Sequence, residues 1–375
     1  MINKDPLAAN FQLIKDVFRN KIVLVTGHTG FKGSWLSLWL TELGANVIGY
    51  ALAPFTEPNL FKVLKLDKRI TSIISDIRDV KALKDVFREY RPQFVFHMAA
   101  QALVRDSYAN PRYTYETNIM GTVNVFEAAR STDSVRIVLN ITSDKCYENK
   151  EWIWGYRESD PLGGYDPYSS SKGCAEIITT AYRKSYFDSQ KYNEYKISLS
   201  SVRAGNVIGG GDWAKDRLVP DCIRALSNDQ EIKIRSPEAI RPWQHVLEPL
   251  SGYLLLAAKM YKDSQKYAGA WNFGPREEDG ISVKDLVKGI IKYWGKGNWQ
   301  DISQKSSNPL HESQYLKLDC SKARQILGWK PVWEINKALE HTVGWYRKFY
   351  SNSTEMGSYT EMQIKEYMKE MTGHD

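Results

Sequence analysis

Hydrophobic positions in the first two hundred residues follow two alternating patterns. Short, continuous apolar runs predict buried β-strands, in "KIVLVTG", "ANVIGYAL", "ITSIISDI", "FVFHMAA", "SVRIVLNITS" and "KISLSSVRAGNV". Between several of them, apolar residues recur at helical spacing, in "GSWLSLWLTELG", "VKALKDVFREY" and "YTYETNIMGTVNVFEAAR". Continuous apolar strands separated by helices are typical of a parallel sheet that is covered on both faces. The expected fold class is therefore α/β, with a doubly wound parallel sheet.

The pattern changes after about residue 205, where glycine-rich loops separate shorter elements. A chain of 375 residues is long enough for two lobes. We expect a sheet domain over 1–200, which a later segment near 240–260 rejoins, and a smaller lobe over 201–350. Residues 351–375 are polar, contain one possible helix, and are predicted to form an appendage.

Composition indicates in which cellular compartment the protein resides and which classes of protein are unsuitable. Apolar runs stay well below the roughly eighteen residues that a membrane span needs, and the first twenty residues carry charges instead of an apolar signal core. The four cysteines are far apart and have no metal-ligand spacing, so neither a metal site nor a disulfide framework is expected. The interpretation is a reduced, cytoplasmic protein without a membrane partner.

The net charge of +7 raises the question of a nucleic-acid partner. Segments that bind nucleic acid carry their basic residues in blocks or stripes. Here the basic residues are dispersed among acidic ones, and no block of five or six like charges occurs. We therefore expect no nucleic-acid partner, and the basic excess also suits a substrate that carries phosphates.

A glycine triplet follows the first predicted strand, in "VTGHTGFKGSW". In this context Gly27 permits a tight turn, Gly30 lets the backbone approach a pyrophosphate, and Gly33 lets the helix pack on the strand. The amide groups of the following helix then face the phosphates. The triplet predicts a dinucleotide-binding loop, and a glycine-rich turn without a ligand is the alternative.

An acidic residue about twenty positions after such a loop usually holds the adenosine ribose. Ala53 stands at that position, and no arginine or lysine replaces it nearby, so NADP is not indicated. We expect that the missing acid loosens the binding of the ribose. Asp76, at the end of the third predicted strand, is a candidate for the adenine edge, or else a turn or helix-capping residue.

Tyr168 and Lys172 share one face of a predicted helix because they are four residues apart in "YSSSK". An ammonium group beside a phenol favours the phenolate, which predicts a lowered pKa for Tyr168. A phenolate near neutral pH is a general base for a sugar or alcohol hydroxyl. Removal of that proton allows a hydride to leave the same carbon for a nicotinamide, so the pair predicts an oxidation. Taken alone, the pair is more typical of a solvated helix face, and it is the glycine loop in the same chain that favours the catalytic interpretation.

Together, "TGHTGFKG" and "YSSSK" resemble the motifs of the extended short-chain dehydrogenase/reductase family, which includes NAD-dependent epimerases and dehydratases. "HMAAQ", "TNIMGT" and "VRAGNVIG" extend the resemblance over nearly the whole chain. It implies a Rossmann domain that binds NAD and a C-terminal lobe that binds a nucleotide sugar. Three further stretches, "NITSDKCYENKEWIWGYRE", "RAGNVIGGGDWAKDRLVPD" and "IRPWQHVLEPLSGYLLLA", are similar to the family's 4,6-dehydratases that act on CDP-glucose.

The resemblance also implies which residues form the site. Those expected to bind the cofactor are Gly27, Thr29, Gly30, Phe31, Lys32, Gly33, Asp76, Ile77, Ala99, Ala100, Gln101, Asn118, Tyr168 and Lys172. Those expected to bind the substrate are Gln101, Arg105, Ser143, Asn206, Arg217 and Arg241. The expected catalytic residues are Ser143, Asp144, Lys145, Tyr168 and Lys172. Arginines suit a diphosphate because guanidinium groups pair bidentately with phosphate oxygens, and surface ion pairs are the alternative for each of them.

Asp144 and Lys145 follow the fifth predicted strand, at the carboxyl end where ligands bind in such sheets. A dehydration needs an acid and a base: once carbon 4 is a ketone, a base takes the proton on carbon 5 while an acid protonates the leaving hydroxyl on carbon 6. The resemblance gives Asp144 the acid role and Lys145 the base role, and related dTDP-glucose dehydratases carry Asp-Glu at this place. The acid needs a raised pKa and the base a lowered one, which an ion pair between them would oppose.

The expected function is NAD-dependent dehydration of CDP-glucose to CDP-4-keto-6-deoxyglucose, which feeds deoxysugar biosynthesis for lipopolysaccharide O-antigen. A nucleotide-sugar 4-epimerase or dehydrogenase on the same scaffold is one alternative, and it has no use for Asp144 and Lys145 together. A dinucleotide-binding sensor without catalysis is the other, and it does not need the Tyr168 hydroxyl. Two long predicted helices, 113–130 and 167–187, commonly pair with their copies in the family, so we expect a homodimer or a larger homo-oligomer.

Overall fold

A computed structural model of the chain describes residues 6–276, 280–305 and 315–372. Its strands are β1 Ile22–Thr26, β2 Asn46–Ala51, β3 Thr71–Ile74, β4 Phe94–His97, β5 Ile137–Ile141, β6 Ser198–Ala204, β7 Val207–Ile208, β8 Ile232–Ile234, β9 Ile240–Arg241, β10 Gln244–His245, β11 Ala270–Phe273, β12 Ile281–Ser282 and β13 Trp299–Asp301. Its helices are α1 Pro6–Phe18, α2 Phe31–Glu42, α3 Leu60–Val63, α4 Val80–Tyr90, α5 Val104–Ala109, α6 Pro111–Tyr115, α7 Gly121–Arg130, α8 Pro167–Ser185, α9 Tyr192–Tyr195, α10 Leu218–Ser227, α11 Leu247–Lys262, α12 Ser264–Tyr267, α13 Val283–Trp294, α14 Ile335–Ser351 and α15 Met356–Met371. Each strand predicted in the first two hundred residues is present.

The central sheet has seven parallel strands in the order β11-β6-β5-β4-β1-β2-β3. Val23 of β1 pairs with Val47 on one side and with Phe94 on the other. One face of the sheet packs against side chains of α1, α2 and α11, and the other packs against α4, α7 and α8. The continuous apolar strands are therefore covered on both faces, and the predicted α/β class with a doubly wound parallel sheet is confirmed.

The strand order changes direction at β1, which lies between β2 and β4. In a parallel sheet, the loops that follow neighbouring strands leave at the same edge. The loops after β1, β4, β5 and β6 therefore lie side by side, and they contain residues 27–33, 99–101, 143–145 and 205–206. This edge is where the topology positions a ligand site.

The chain leaves the sheet after β6 and later returns to it. Helix α11 packs on the sheet, and β11 pairs with β6 as the terminal strand. Strand β11 belongs to the central sheet, although it lies within 201–350, the stretch predicted to form the smaller lobe. It also follows the segment near 240–260 that was predicted to return to the sheet. The short pairs β10–β7, β12–β9 and β13–β8 lie outside the central sheet.

The C-terminal helix α15 packs into the core, which corrects the prediction of a polar appendage. Met356, Ile364 and Tyr367 are fully buried. The Tyr367 hydroxyl also donates a hydrogen bond of 2.7 Å to the Glu248 carboxylate in α11. The prediction was wrong for this helix because polar residues in a sequence are usually taken to be exposed, whereas several polar residues of α15 are buried. Residues 373–375 of the predicted segment lie outside the described ranges.

Other features bear on the expected partners. Among the described helices, none combines the length and the apolar character that a membrane crossing requires. Within the same residues, no group of three or more His, Cys, Asp or Glu side chains is arranged to hold a metal ion. Cys146, Cys174, Cys222 and Cys320 all carry free thiols.

Candidate active site

The glycine loop connects β1 to α2 with a backbone that side chains would obstruct. Gly27 has φ of 77°, and a Cβ atom there would lie 2.8 Å from the Ala99 nitrogen. A Cβ atom on Gly33 would lie 2.1 Å from the Gly27 carbonyl oxygen, so helix and strand approach more closely than any other residue allows. Gly30 is the N-cap of the twelve-residue helix that Phe31 begins, and no side chain in the described ranges caps its first amides. These amides are available to a pyrophosphate.

Hydroxyl groups fix the glycine loop to its neighbours in the sheet. Thr29 Oγ1 donates a hydrogen bond of 2.8 Å to the carbonyl oxygen of Leu52, just after β2. Thr26 Oγ1 accepts hydrogen bonds of 3.1 Å from the amides of Met98 and Ala99, just after β4. The exposed Ala53 follows Leu52 and offers no carboxylate to a ribose. The backbone therefore fits a dinucleotide, while the usual ribose contact is missing.

Asp76 takes part in the turn that follows β3. Its Oδ1 accepts a hydrogen bond of 2.8 Å from the Arg78 amide, and its Oδ2 accepts one of 2.7 Å from the Arg78 guanidinium. The hydrogen bonds from Arg78 outweigh partial burial and lower the pKa of Asp76. Ile77 is buried, and a Cβ atom on Gly121 of α7 would lie 2.7 Å from its side chain. Asp76 is thus a turn residue in this structure, and its contact with adenine stays a prediction.

Asn118 braces the loop after β4, which contains Ala100 and Gln101. It lies in a π-helical turn, Glu116–Met120, between α6 and α7. Its Oδ1 accepts a hydrogen bond of 2.8 Å from the Gln101 amide, and its Nδ2 donates to the Gln101 carbonyl at 3.0 Å and to Ser171 Oγ of α8 at 2.8 Å. The Gln101 side-chain oxygen is buried and has no hydrogen-bond partner in the described part of the chain. A ligand at the sheet edge would find this acceptor free.

Ser143 and Asp144 form a short turn directly after β5. Ser143 Oγ accepts a hydrogen bond of 3.2 Å from the Lys145 amide and donates one of 2.9 Å to Asp144 Oδ1. The other oxygen, Oδ2, is buried without a hydrogen-bond partner among the described residues. Burial raises the pKa of Asp144, and it outweighs the nearby charge of Lys145, which lowers it. A carboxyl group in this state can hold a proton at a higher pH than an exposed one, as an acid catalyst requires.

Tyr168 and Lys172 lie in the first turns of α8. The helix begins where Asp166 accepts a hydrogen bond of 2.9 Å from the Ser169 amide. The Tyr168 amide donates to Ser107 Oγ at 3.2 Å, and Lys172 Nζ donates to the carbonyl of β5 residue 141 at 3.3 Å. Both side chains are buried at the sheet edge. The solvated helix face that was open as an alternative is thus excluded.

The predicted lowering of the Tyr168 pKa is wrong for the protein without ligands. Burial raises the pKa of Tyr168 to about 12, although a hydrogen bond with Ser143 and the charge of Arg217 lower it. Burial also lowers the pKa of Lys172 to about 8. The physical reason is desolvation, which opposes the phenolate and the ammonium alike, and which helical spacing does not reveal.

Lys32 was expected only to bind the cofactor, but its ammonium group also acts on the charged residues of the site. Burial, followed by the charge of Arg217, lowers its pKa to about 8, although the charge of Asp144 opposes this lowering. Lys172 also contributes to this lowering. The side chains of Lys32, Asp144, Lys172 and Arg217 therefore share one electrostatic environment at the sheet edge.

Acidic partners accompany two of the arginines expected to bind the substrate, Arg217 at the diphosphate and Arg105 near the sugar. Arg217 Nη1 lies 2.8 Å from Asp212 Oδ2, and Arg105 Nη1 lies 3.4 Å from Asp216 Oδ1. Arg235, which the sequence analysis missed, lies 3.8 Å from the same Asp216 oxygen. The sequence feature that could have pointed to Arg235 is its position directly after the short strand "IKI".

The remaining predicted residues lie in the smaller elements. Arg241 is in β9, where its Nη1 donates a hydrogen bond of 2.9 Å to the Ile240 carbonyl. Asn206 follows β6, and its carbonyl accepts a hydrogen bond of 3.0 Å from the Gln244 amide. The structure thus brings Ser143, Asp144 and Tyr168 together with the charged residues around them in one cluster. Asp76 lies apart from this cluster, because it follows β3, the edge strand at the opposite end of the sheet from β11.

Known proteins with this sequence pattern are similar over most of the chain. The family model of GDP-mannose 4,6 dehydratase matches residues 24–342. A CDP-glucose 4,6-dehydratase of Salmonella typhimurium is 51% identical, over 96% of this chain and 99% of its own length. A solved UDP-glucose 4-epimerase of Thermotoga maritima has a TM-score of 0.74 at 24% identity, over 88% of this chain and 99% of its own. A dTDP-glucose 4,6-dehydratase of Bacillus anthracis, solved in complex with NAD, has a TM-score of 0.71 at 21% identity, over 88% and 97% of the two chains. The two solved structures share the fold of this chain.

Proposed function

This chain belongs to the family that the GDP-mannose 4,6 dehydratase model describes, and we propose that it is an NAD-dependent 4,6-dehydratase that acts on CDP-glucose. The family predicted from the sequence is thereby confirmed. The identity of 51% with a CDP-glucose 4,6-dehydratase supports the choice of substrate. The observation that carries the reaction type is the buried Asp144 carboxyl next to Lys145, with a raised pKa and with one oxygen that has no hydrogen-bond partner among the described residues.

The glycine loop and its neighbours support NAD as the cofactor. Bound NAD would accept a hydride from carbon 4 of the sugar and return it to carbon 6. Gly27, Gly30 and Gly33 shape the backbone so that the first amides of α2 can hold the pyrophosphate. Gln101 contributes an acceptor oxygen beside this loop that no described residue occupies. Because Ala53 offers no carboxylate, the ribose depends on fewer contacts than in relatives with an acid there.

Tyr168 is the base for the oxidation of carbon 4 in this proposal. As the phenolate, its oxygen would remove the proton from the carbon 4 hydroxyl, and a hydrogen bond with Ser143 favours this form. With a pKa of about 12 the phenol holds its proton in the protein alone, so additional positive charge has to favour the phenolate in the complex. Lys172 carries an ammonium charge at pH values below about 8 and lies on the same helix face. Arg217 adds a second positive charge.

Asp144 and Lys145 carry out the elimination that follows. The carbon 4 ketone makes the proton on carbon 5 acidic, and Lys145 takes it as the general base. Asp144 gives its proton to the hydroxyl on carbon 6, which leaves as water. Burial of Asp144 supports this direction of proton transfer because it favours the neutral carboxyl group.

Arg217 and Arg241 are assigned to the diphosphate, and Arg105 is assigned to the sugar. Arg105 and Arg217 hold Asp216 and Asp212 through ion pairs, and Arg105 and its partner are each about half exposed. A diphosphate offers more charge than a single carboxylate, so it can compete with Asp212 for the Arg217 guanidinium group. Arg241 and Asn206 complete the proposed substrate contacts.

We also propose that two copies of the chain pair through α7 and α8. The apolar side chains of Met120, Ile177 and Tyr186, at or near these helices, are 52%, 57% and 44% exposed. Pairing would remove this surface from water. Light scattering after gel filtration should give twice the chain mass, and Ile177→Lys should shift the measured mass toward that of one copy. A monomeric wild-type protein contradicts the proposal.

The four free thiols fit a reducing, cytoplasmic location.

A substrate panel tests the function directly. The protein is incubated with NAD and with CDP-, dTDP-, UDP- or GDP-glucose, and the products are identified by mass. We expect that CDP-glucose loses one water and that no NADH accumulates. A product of unchanged mass would indicate an epimerase, and NADH formed in step with product would indicate a dehydrogenase. Binding of NAD without any reaction would indicate a sensor.

A further inference from the structure

A buried ion pair lies one helical turn beyond Lys172. Glu176 of α8 and Arg203 of β6 have side-chain exposures of 0% and 3%, and their Oε2 and Nη2 atoms are 2.7 Å apart. Burial raises the pKa of Glu176, but the charge and hydrogen bond of Arg203, together with hydrogen bonds from Thr142 and Ser201, outweigh it and lower the pKa overall. A buried ion pair rarely adds stability over apolar residues of the same volume. This pair therefore calls for another role, and the proposed mechanism does not use it.

Hydrogen bonds join the pair to both ends of the catalytic loop, which we define as residues 142–147. Thr142 Oγ1 donates to Glu176 Oε1 at the start of this loop. Arg203 Nη1 donates to the Tyr147 hydroxyl at 2.6 Å at its end. The acid and the base of the proposed elimination lie between these two anchors.

The same carboxylate holds the helix that carries the other two catalytic residues. Glu176 is four residues after Lys172, so the two side chains lie on one face of α8. Ser201 Oγ of β6 donates a hydrogen bond of 2.7 Å to Glu176 Oε2. Burial lowers the pKa of Lys172, and the negative charge of Glu176 opposes that effect. The carboxylate thus links helix, strand and loop at one point.

We propose that Glu176 and Arg203 are positioning residues, which fix the catalytic loop relative to α8. The inference rests on the proposed function, in which oxidation depends mainly on the helix and elimination depends on the loop. Both sets of groups must reach one sugar ring without a change of binding mode. A displacement of about 1 Å can cost on the order of a hundredfold in rate. Loosening the loop should therefore slow elimination much more than oxidation.

The test uses variants that remove a hydroxyl group and no charge, because Glu176→Gln or Arg203→Met would leave a buried charge without its partner. Thr142→Val keeps the side-chain shape and removes the hydroxyl that donates to Glu176 and, at 3.3 Å, to the Val202 carbonyl of β6. In a single turnover with NAD and CDP-glucose, NADH absorbance reports oxidation, and product mass in the same samples reports elimination. We expect elimination to slow about ten- to a hundredfold and oxidation to change less than about threefold. Hydrogen–deuterium exchange of peptides that cover the catalytic loop should become faster.

Two control variants separate positioning from a general loss of stability. Thr142→Ser keeps the hydroxyl and should retain the wild-type ratio of the two rates and the wild-type exchange. Ser201→Ala removes a hydrogen bond from the same carboxylate but leaves the anchors of the loop intact. It should lower the melting temperature without changing the ratio. Tyr147→Phe removes the other anchor, together with the hydrogen bond of 2.8 Å that the Tyr147 hydroxyl donates to Asn272, and should behave like Thr142→Val.

The outcomes distinguish this inference from the proposed function. If Thr142→Val and Thr142→Ser have the same ratio of rates, or if both rates fall in parallel, the positioning role is wrong. If the wild-type protein forms no dehydrated product, the proposed function is wrong. The hydrogen-exchange comparison then still decides whether the pair holds the loop, and unchanged exchange in Thr142→Val would overturn that part as well.

Discussion

Replacement of Asp144 by asparagine should separate oxidation from elimination. Asparagine has nearly the same shape and can still accept the hydrogen bond of 2.9 Å from Ser143 Oγ. It has no acidic proton to deliver from the position of Oδ2, which is buried and unpartnered among the described residues. We therefore expect that Asp144→Asn oxidises bound CDP-glucose and stalls before water leaves carbon 6.

The magnitude follows from the role and the burial of this carboxyl group. General acid catalysis contributes roughly a hundred- to ten-thousandfold, or about 3 to 5 kcal/mol of barrier. Burial raises the pKa of Asp144, so a larger fraction of the wild-type protein carries the proton near neutral pH than an exposed aspartate would. Wild-type elimination should fall as the pH rises through this raised pKa, because the acid is then lost. The variant should lack that pH dependence.

Stopped-flow absorbance and mass analysis of quenched samples provide the assay. NADH should appear in Asp144→Asn at close to the wild-type rate and then persist, whereas the dehydrated product should form at least about a hundredfold more slowly. Formation of the 6-deoxy product at the wild-type rate would show that Asp144 is not the acid. The epimerase or dehydrogenase interpretation would then take first place.

Four further predictions follow from the site and the core. Tyr168→Phe should abolish most turnover while calorimetry finds nearly unchanged binding of the nucleotide sugar; near wild-type kcat would contradict its role as base. Lys145→Met should slow the exchange of the carbon 5 proton with deuterated solvent about a hundredfold or more, and unchanged exchange would exclude an amine base. Ala53→Asp should tighten the binding of NAD in calorimetry, and equal or weaker binding would show that the ribose lies elsewhere. Burial raises the pKa of Glu248 to about 7, above its unfolded value, so the stability of the wild type should fall by about 1.4 kcal/mol per pH unit as the pH rises from about 5 to 7. Glu248→Gln should remove this slope from pH-dependent melting, and parallel curves for the two proteins would refute the shift.

Local patterns carried most of the fold. Helix α4 has the predicted bounds Val80–Tyr90, because its apolar spacing and its Asp79 N-cap are properties of a short stretch of chain. The glycine loop was equally predictable, since Gly27 has a positive φ and Gly33 meets backbone where a side chain would not fit. Helical spacing placed Tyr168 and Lys172 on one face for the same local reason.

Relations between distant residues were decided only by the tertiary structure. The polar C-terminal segment is part of the core because Tyr367 reaches Glu248, more than a hundred positions earlier. The partner of Glu176 is Arg203, a charged residue in the buried strand β6, whose place in the sheet the sequence leaves open. The pKa of Tyr168 rises because its surroundings exclude water, whereas the neighbouring lysine alone would predict a fall. Hydrophobic periodicity and glycine spacing are properties of consecutive residues, so the sequence alone reveals them. Desolvation and charge pairing depend on which segments the folded chain brings together, so only the tertiary structure reveals them.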